Sequence, residues 1–161
     1  MKLHIGGRME NNLKIKRYMG LAKEISTWSK DPSSKIGAVA VGSKGQVLAQ
    51  GYNGFPRGIK DEEDRYLNKE LKYSYVVHAE MNCIYNATYN GTCLDGTSLF
   101  VYGLPVCSDC AKGIIQVGIK LVAVRYPHEN IPEKWEESWN LTKDMFDEAG
   151  VNWFMCKGLS Q

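Results

Sequence analysis

His78-Ala79-Glu80 and, further along, Pro105-Val106-Cys107-Ser108-Asp109-Cys110 gather one imidazole, one carboxylate and two thiols into two short fragments. One histidine and two cysteines make a zinc-binding set that fills three tetrahedral positions and leaves the fourth for water, which separates a catalytic site from a closed structural one. His78, Cys107 and Cys110 are therefore the candidate metal ligands, for one Zn2+ per chain, and Glu80 is the candidate catalytic residue. A carboxylate that is not itself a ligand can take a proton from zinc-activated water and later deliver one to a leaving group. Each fragment alone has a plainer reading: a lone Cys-x-x-Cys is often a redox pair, and a lone histidine is more often a core or surface residue. A thioredoxin-type reductase would leave His78-Ala79-Glu80 unexplained, and a zinc-stabilised interaction module would need a fourth protein ligand. Cys83, three residues after Glu80, is the thiol to watch for that part, although Cys83, Cys93 and Cys156 read better as small apolar residues.

For the two fragments to meet, each must sit where a helix begins. Residues two apart on a regular helix diverge by about 200°, so His78 converges with Glu80 only from a position at or before the first turn. Cys107 and Cys110, three apart, face one side of a first turn. The partial positive charge of a helix N-terminus also favours the thiolates that a metal requires. Periodicity predicts helices over 79–88 and 108–117 and strands over 98–102 and 119–125. Upstream, Ile15, Tyr18, Met19, Ala22, Ile25 and Trp28 predict a helix over 13–28, with Asn11 or Asn12 as its cap and Pro32 closing the region beyond it. Apolar runs over 36–41 and 46–52, joined by Gly42-Ser43-Lys44-Gly45, predict an antiparallel hairpin. A helix over 133–149 with Gly150 as terminator leads to a last strand over 151–155. The alternation predicts an α/β fold, a mixed five-stranded sheet sandwiched by helices. The stretch 55–77, with Asp61-Glu62-Glu63-Asp64 offset by Lys60, Arg65, Lys69 and Lys72, is either a solvated charged surface or a functional lid carrying its own short helix.

At 161 residues and 43% hydrophobic composition the chain suits one compact domain. Residues 1–12 read as an N-terminal extension with freedom to move, and 13–161 as the single domain. No long apolar run and no signal-peptide h-region stand at either end, which gives the expectation of a soluble, cytoplasmic protein. Five cysteines, an odd number, favour free thiols or metal ligands over a disulfide framework. A formal charge of +2 without a basic block points to a small substrate and away from nucleic acid and membrane.

His-x-Glu followed by Cys-x-x-Cys resembles the signature of zinc deaminases that act on nucleobases. Ser29-Lys30-Asp31-Pro32-Ser33, Ile36-Gly37-Ala38, the run Gly51-Tyr52-Asn53-Gly54-Phe55-Pro56-Arg57-Gly58 and Cys107 to Lys112 extend that likeness over about residues 13 to 155. In this context the chain resembles the deoxycytidylate (dCMP) deaminases, of the type common in bacteriophages, within the zinc-dependent cytidine/deoxycytidylate deaminase superfamily. The resemblance implies a three-layer α-β-α cytidine-deaminase-like fold and hydrolytic deamination of dCMP to dUMP with release of ammonia, feeding thymidylate synthesis. It implies zinc ligands at His78, Cys107 and Cys110, a proton shuttle at Glu80, and substrate contacts at Asn53 and Ala79. It further implies a homo-hexamer activated by dCTP with Mg2+ and inhibited by dTTP, with Lys30, Gly51, Tyr52, Asn53, Gly54 and Arg57 as effector-site elements, working in the host cytoplasm if phage-encoded. The usual motif has proline directly before the first cysteine; here Val106 stands between Pro105 and Cys107, which should leave the metal in place and change only the approach of the chain.

Gly51, Gly54 and Gly58 permit close backbone approach, Asn53 offers donor and acceptor to a sugar hydroxyl or base edge, and the Arg57 fork matches a phosphate. The plain alternative is a surface turn at a strand end. Tyr126, just past the 119–125 strand, is a further substrate-pocket candidate, because ligands gather beyond the carboxyl ends of parallel strands. Rival activities are a nucleic-acid deaminase such as a tRNA adenosine deaminase, or an enzyme that also takes dCTP as substrate.

Overall fold

The computed structural model describes residues 8–157. Helix α1 (Arg8–Ser26) precedes the hairpin of β1 (Gly37–Val41) and β2 (Val47–Tyr52). Two short helices follow, α2 (Glu63–Leu67) and α3 (Lys69–Tyr75), then α4 (Ala79–Tyr89), β3 (Ser98–Tyr102), α5 (Ser108–Gln116), β4 (Leu121–Arg125), α6 (Glu133–Ala149) and β5 (Asn152–Met155). Of the extension read at 1–12, residues 1–7 lie outside the described residues, and 8–12 already belong to α1, since no glycine or proline interrupts the chain between Arg8 and Met19. At its other end α1 stops at Ser26, so Trp28 does not continue the buried stripe; it is exposed and meets Tyr52 edge-on.

The strands form one mixed sheet in the order β2-β1-β3-β4-β5. β1 pairs antiparallel with both β2 and β3, whereas β3, β4 and β5 run parallel, as the helical crossovers α5 and α6 require. Period-two alternation divides the strand residues between two cores. Val39, Val41, Phe100 and Ala123 face α1 through Met19, Ala22 and Ile25. Ala38, Ala40, Leu99, Val101, Val122 and Val124 face the other way, onto α4, α5 and α6. The sheet is thus the middle of three layers. Fully buried Phe146 and Ile114 anchor the helices of the second core, each contributing about 1.5–3 kcal/mol by leaving water. Among the described residues no helix is long and apolar enough to cross a membrane.

Two close approaches set the depth of these layers. A side chain at Gly37 would meet the Ala22 carbonyl oxygen at 2.0 Å, so α1 lies directly on β1. One at Gly51 would meet the Cys83 backbone nitrogen at 2.3 Å, so α4 lies directly on β2. The small Ala38 and Ala40 extend that bare surface under α4, and Asn82 and Asn86 donate from the helix to the Tyr52 and Gln50 carbonyls at 2.8 and 2.7 Å.

The charged stretch folds against the body. Phe55 stacks on Tyr66 at 4.2 Å between ring centroids, Gly54 and Val77 exchange backbone hydrogen bonds, and Asn68 caps α3 by accepting from Glu70 and Leu71. Lys72 of α3 reaches inward to buried Asp31 at 2.9 Å. Both readings of 55–77 hold in part: the segment carries two short helices of its own and packs over a cavity, while Lys60, Asp61-Glu62-Glu63-Asp64 and Lys69 form an exposed charged surface.

Candidate metal centre and active-site cavity

His78 and Cys107 occupy equivalent places, each the last extended residue before a helix (φ −67°, ψ 153° and φ −74°, ψ 160°). His78 therefore leaves the helical path, and Glu80, in the first turn of α4, can share its surroundings. Val77 and Val106 enter these two caps from neighbouring segments, and the starts of α4 and α5 converge. The His78 Nδ1 atom stands 3.4 Å from Cys107 Sγ and 3.4 Å from Cys110 Sγ, and the three ligand atoms lie within 4.8 Å of one another. Tetrahedral zinc with bonds of about 2.0–2.1 Å to nitrogen and about 2.3 Å to sulfur demands nitrogen–sulfur edges of about 3.6 Å. The donor types and their separations fit Zn2+.

Electrostatics agree with a site built for a cation. Hydrogen bonding from Cys110 pulls the Cys107 thiol down to about 4, and the same contact, with burial, holds the Cys110 thiol above its ordinary range. The hydrogen bond to Cys107 raises His78 to about 9. Metal binding must displace the protons shared by this group. Burial holds the Glu80 carboxyl above the ordinary glutamate range, which makes its carboxylate a better proton acceptor. Cys83 is fully buried, its thiol pushed up to about 12 by burial, and it stands apart from the His-Cys-Cys group, so it closes no fourth position. Cys156 is likewise buried, but Cys93 is exposed and does not behave as a core residue.

His78, Ala79, Glu80 and Cys107 open onto a cavity of about 390 Å³. Its walls come from three directions: Asp31, Ser33, Ser34 and Asn53 beside the hairpin; Tyr66, Lys69, Lys72 and Tyr73 from the 55–77 segment; and Leu104, Pro105, Lys134 and Trp135 near α5 and α6. Asn53 and Ala79 are among the residues that line the cavity. Yet Asn53 is also a brace, because its Oδ1 accepts from the Ile36 N–H at 2.9 Å and its Nδ2 donates to the Ser34 carbonyl at 2.8 Å. Tyr126 is buried, edge-on to His128, and is not among the cavity walls; Leu104, Pro105 and Trp135 form that side.

The effector candidates lie in different surroundings. Lys30 is exposed and pairs with Asp61 at 2.8 Å. Arg57 donates to Asn86 and lies over the Tyr89 ring at 5.4 Å, in a separate shallow pocket. Gly51 is bare because α4 covers it, which replaces ligand approach as the reason for glycine there. Tyr52 is exposed beside Trp28, and Gly54 bridges to Val77.

Asp31, Lys72, Lys134 and Trp135 are cavity residues that spacing did not single out. Asp31 accepts from the Ser33 and Ser34 N–H groups at 2.8 and 3.1 Å and from Lys72 Nζ at 3.0 Å. Its signal was Asp-Pro-Ser-Ser, a local turn pattern; its partner lies 41 residues away.

Fold and site define a class: a three-layer α/β protein whose His-Cys-Cys centre and buried glutamate meet at two helix starts beneath one cavity. Residues 13–126 match the family model described as the cytidine and deoxycytidylate deaminase zinc-binding region, and the chain belongs to that family. It is 37% identical over 136 residues to an uncharacterized deaminase in the luxG 3' region of Aliivibrio fischeri, covering 84% of this chain and 88% of that one. It is 38% identical over 141 residues to the deoxycytidylate deaminase of Homo sapiens, covering 83% and 74%. Among solved structures, the dCMP deaminase from the cyanophage S-TIM5 in complex with dCMP and dUMP superposes with a TM-score of 0.71 at 27% identity, covering 95% of this chain and 100% of that one.

Proposed function

We propose that this chain is a deoxycytidylate deaminase, which hydrolyses the C4 amino group of dCMP to give dUMP, the precursor of thymidylate, and ammonia. One observation carries the reading: Glu80, only 4% exposed, lines the same cavity as His78 and Cys107. A buried carboxyl is costly to keep, and proton transfer at the cavity floor accounts for it. Held by His78, Cys107 and Cys110, one zinc ion would supply the Lewis acidity that makes water nucleophilic near neutral pH. Glu80 takes one proton of the attacking water and passes it to the ring nitrogen N3 as the oxygen adds to C4; it then takes the remaining hydroxyl proton and passes it to the amino group, so the C4–N bond breaks, ammonia leaves and the C4 carbonyl forms. Asn53 and Ala79 contact the substrate, Asn53 with the donor and acceptor capacity left over from its two backbone bonds.

Relatives named deoxycytidylate deaminases and the cyanophage complex with dCMP and dUMP support a free nucleotide as substrate. The near-neutral charge of +2 argues against a tRNA substrate. The resemblance supports, as part of the same proposal, a homo-hexamer activated by dCTP with Mg2+ and inhibited by dTTP. Lys30, Tyr52, Gly54 and Arg57 lie outside the cavity walls, so the effectors would act at a site separate from the chemistry.

The test is ammonia release from dCMP, dCTP, deoxycytidine and an adenosine-containing RNA, with zinc measured on the same sample. Turnover confined to dCMP with about one zinc per chain is expected; turnover of RNA, or none of any cytosine nucleotide, overturns the reading. Repeating the dCMP curve with dCTP or dTTP tests regulation, and a hyperbola unmoved by either removes that part alone.

A further inference from the structure

The residue before ligand Cys107 is Val106, which lacks the ring that would fix its own φ, so the path into the α5 cap must be restrained from outside. Helix α6 supplies that restraint. Thr142 Oγ1 donates to the Val106 carbonyl at 2.8 Å, and both residues are fully buried. Four residues earlier on the same helical face, Ser138 Oγ accepts from the Ser108 N–H at 2.9 Å and donates to Ser108 Oγ at 3.3 Å. Cys107 is thus gripped on both sides of its backbone by one turn of α6. A threonine within a helix usually bonds a carbonyl of its own preceding turn; this one reaches a residue 36 positions away. Beyond it, Phe146 sits in the core at zero exposure and fixes the helix that makes the grip.

We infer that Ser138 and Thr142 are positioning residues for the metal centre, holding the Cys107 thiolate where His78 and Cys110 can share a cation with it. The inference rests on the zinc reading of this site. Cys107 itself accepts from the Cys110 N–H at 3.5 Å, so a slip of the Val106-Cys107-Ser108 backbone would disturb two ligands together. Loss of such supporting bonds typically weakens metal affinity about 10–100-fold.

The experiment measures zinc affinity of the full chain by competition with a chromophoric chelator, and records the thiolate charge-transfer bands after Co2+ substitution. Thr142→Val and Ser138→Ala should each weaken zinc binding about tenfold or more and shift the Co2+ bands, while Thr142→Ser, which keeps the hydroxyl, recovers most of the affinity. Thr97→Val is the control, because it removes an equally buried hydroxyl, bonded to the Leu94 carbonyl at 2.6 Å, at the opposite end of β3. Wild-type affinity and an unchanged Co2+ spectrum in folded Thr142→Val and Ser138→Ala overturn the inference, as does equal weakening by Thr97→Val. If Thr142→Val does not fold, half-buried Ser138→Ala decides by the same readouts. A wild-type chain that takes up no zinc removes the functional reading itself, a result distinct from unaltered variants.

Discussion

Glu80 stands two positions from His78, a spacing that would send the side chains apart if both were helical, and the extended backbone of His78 is what reconciles them. The roles differ accordingly. Glu80→Ala should keep about one zinc per chain and lose turnover by about 10²–10⁴-fold, whereas His78→Ala or Cys110→Ala should lose the metal, as elemental analysis beside ammonia release will report. Burial also gives Glu80 a cost. A carboxyl whose folded pKa is raised above its ordinary 4.5 stabilises the fold only at low pH and loses that contribution as pH rises through its folded value. Glu80→Gln should therefore raise the Tm of the metal-free chain at neutral pH, with the gain vanishing below pH 4.5. Asn53 carries two duties: with both its bonds to Ile36 and Ser34 removed, Asn53→Ala should lower Tm as well as raise KM, each lost bond costing roughly 1–3 kcal/mol.

At the scale of elements, segments with an apolar period are legible and segments without one are not. The spacing of Trp135, Trp139, Leu141, Met145 and Phe146 with Gly150 beyond predicts α6 at the bounds it adopts, because an apolar stripe and an αL terminator are local signals, although Leu141 itself is exposed and lies off the buried face. α2 and α3 lack such a stripe; they are held by Phe55 on Tyr66 and by Lys72 on Asp31, contacts that no local pattern announces. Lys72→Ala leaves the buried Asp31 carboxylate with only the Ser33 and Ser34 N–H donors and should cost about 1–3 kcal/mol, a fall of roughly 5 °C in Tm. The same change should speed hydrogen exchange in α3 and raise KM, since α3 walls the cavity. Gly51→Ala should cost at least the upper part of the roughly 1–3 kcal/mol range for overpacking, because the neighbours it meets are α4 backbone and cannot turn aside. Thermal melts of both variants check these values.

For the molecule as a whole, a zinc ion held by His78, Cys107 and Cys110 would tie the start of α4 to the start of α5. Removing zinc with a chelator should lower Tm, and restoring it at about 100 times its Kd should return about 2.7 kcal/mol, or roughly 5–10 °C; magnesium should not substitute, since its preference is for oxygen ligands. The ligand types, the carboxylate beside them, the alternation of helix and strand and the likeness to a deaminase family are legible before folding, because each is written in residue identity at short spacing. Only the folded chain shows that Lys72 answers Asp31, that Gly51 serves a helix, that Tyr126 is no wall of the cavity and that α6 grips the approach to Cys107. Those partners are brought together by sheet order and helix packing over separations of 30 residues and more, where side-chain chemistry shows what could pair and only the folded backbone selects which pair forms.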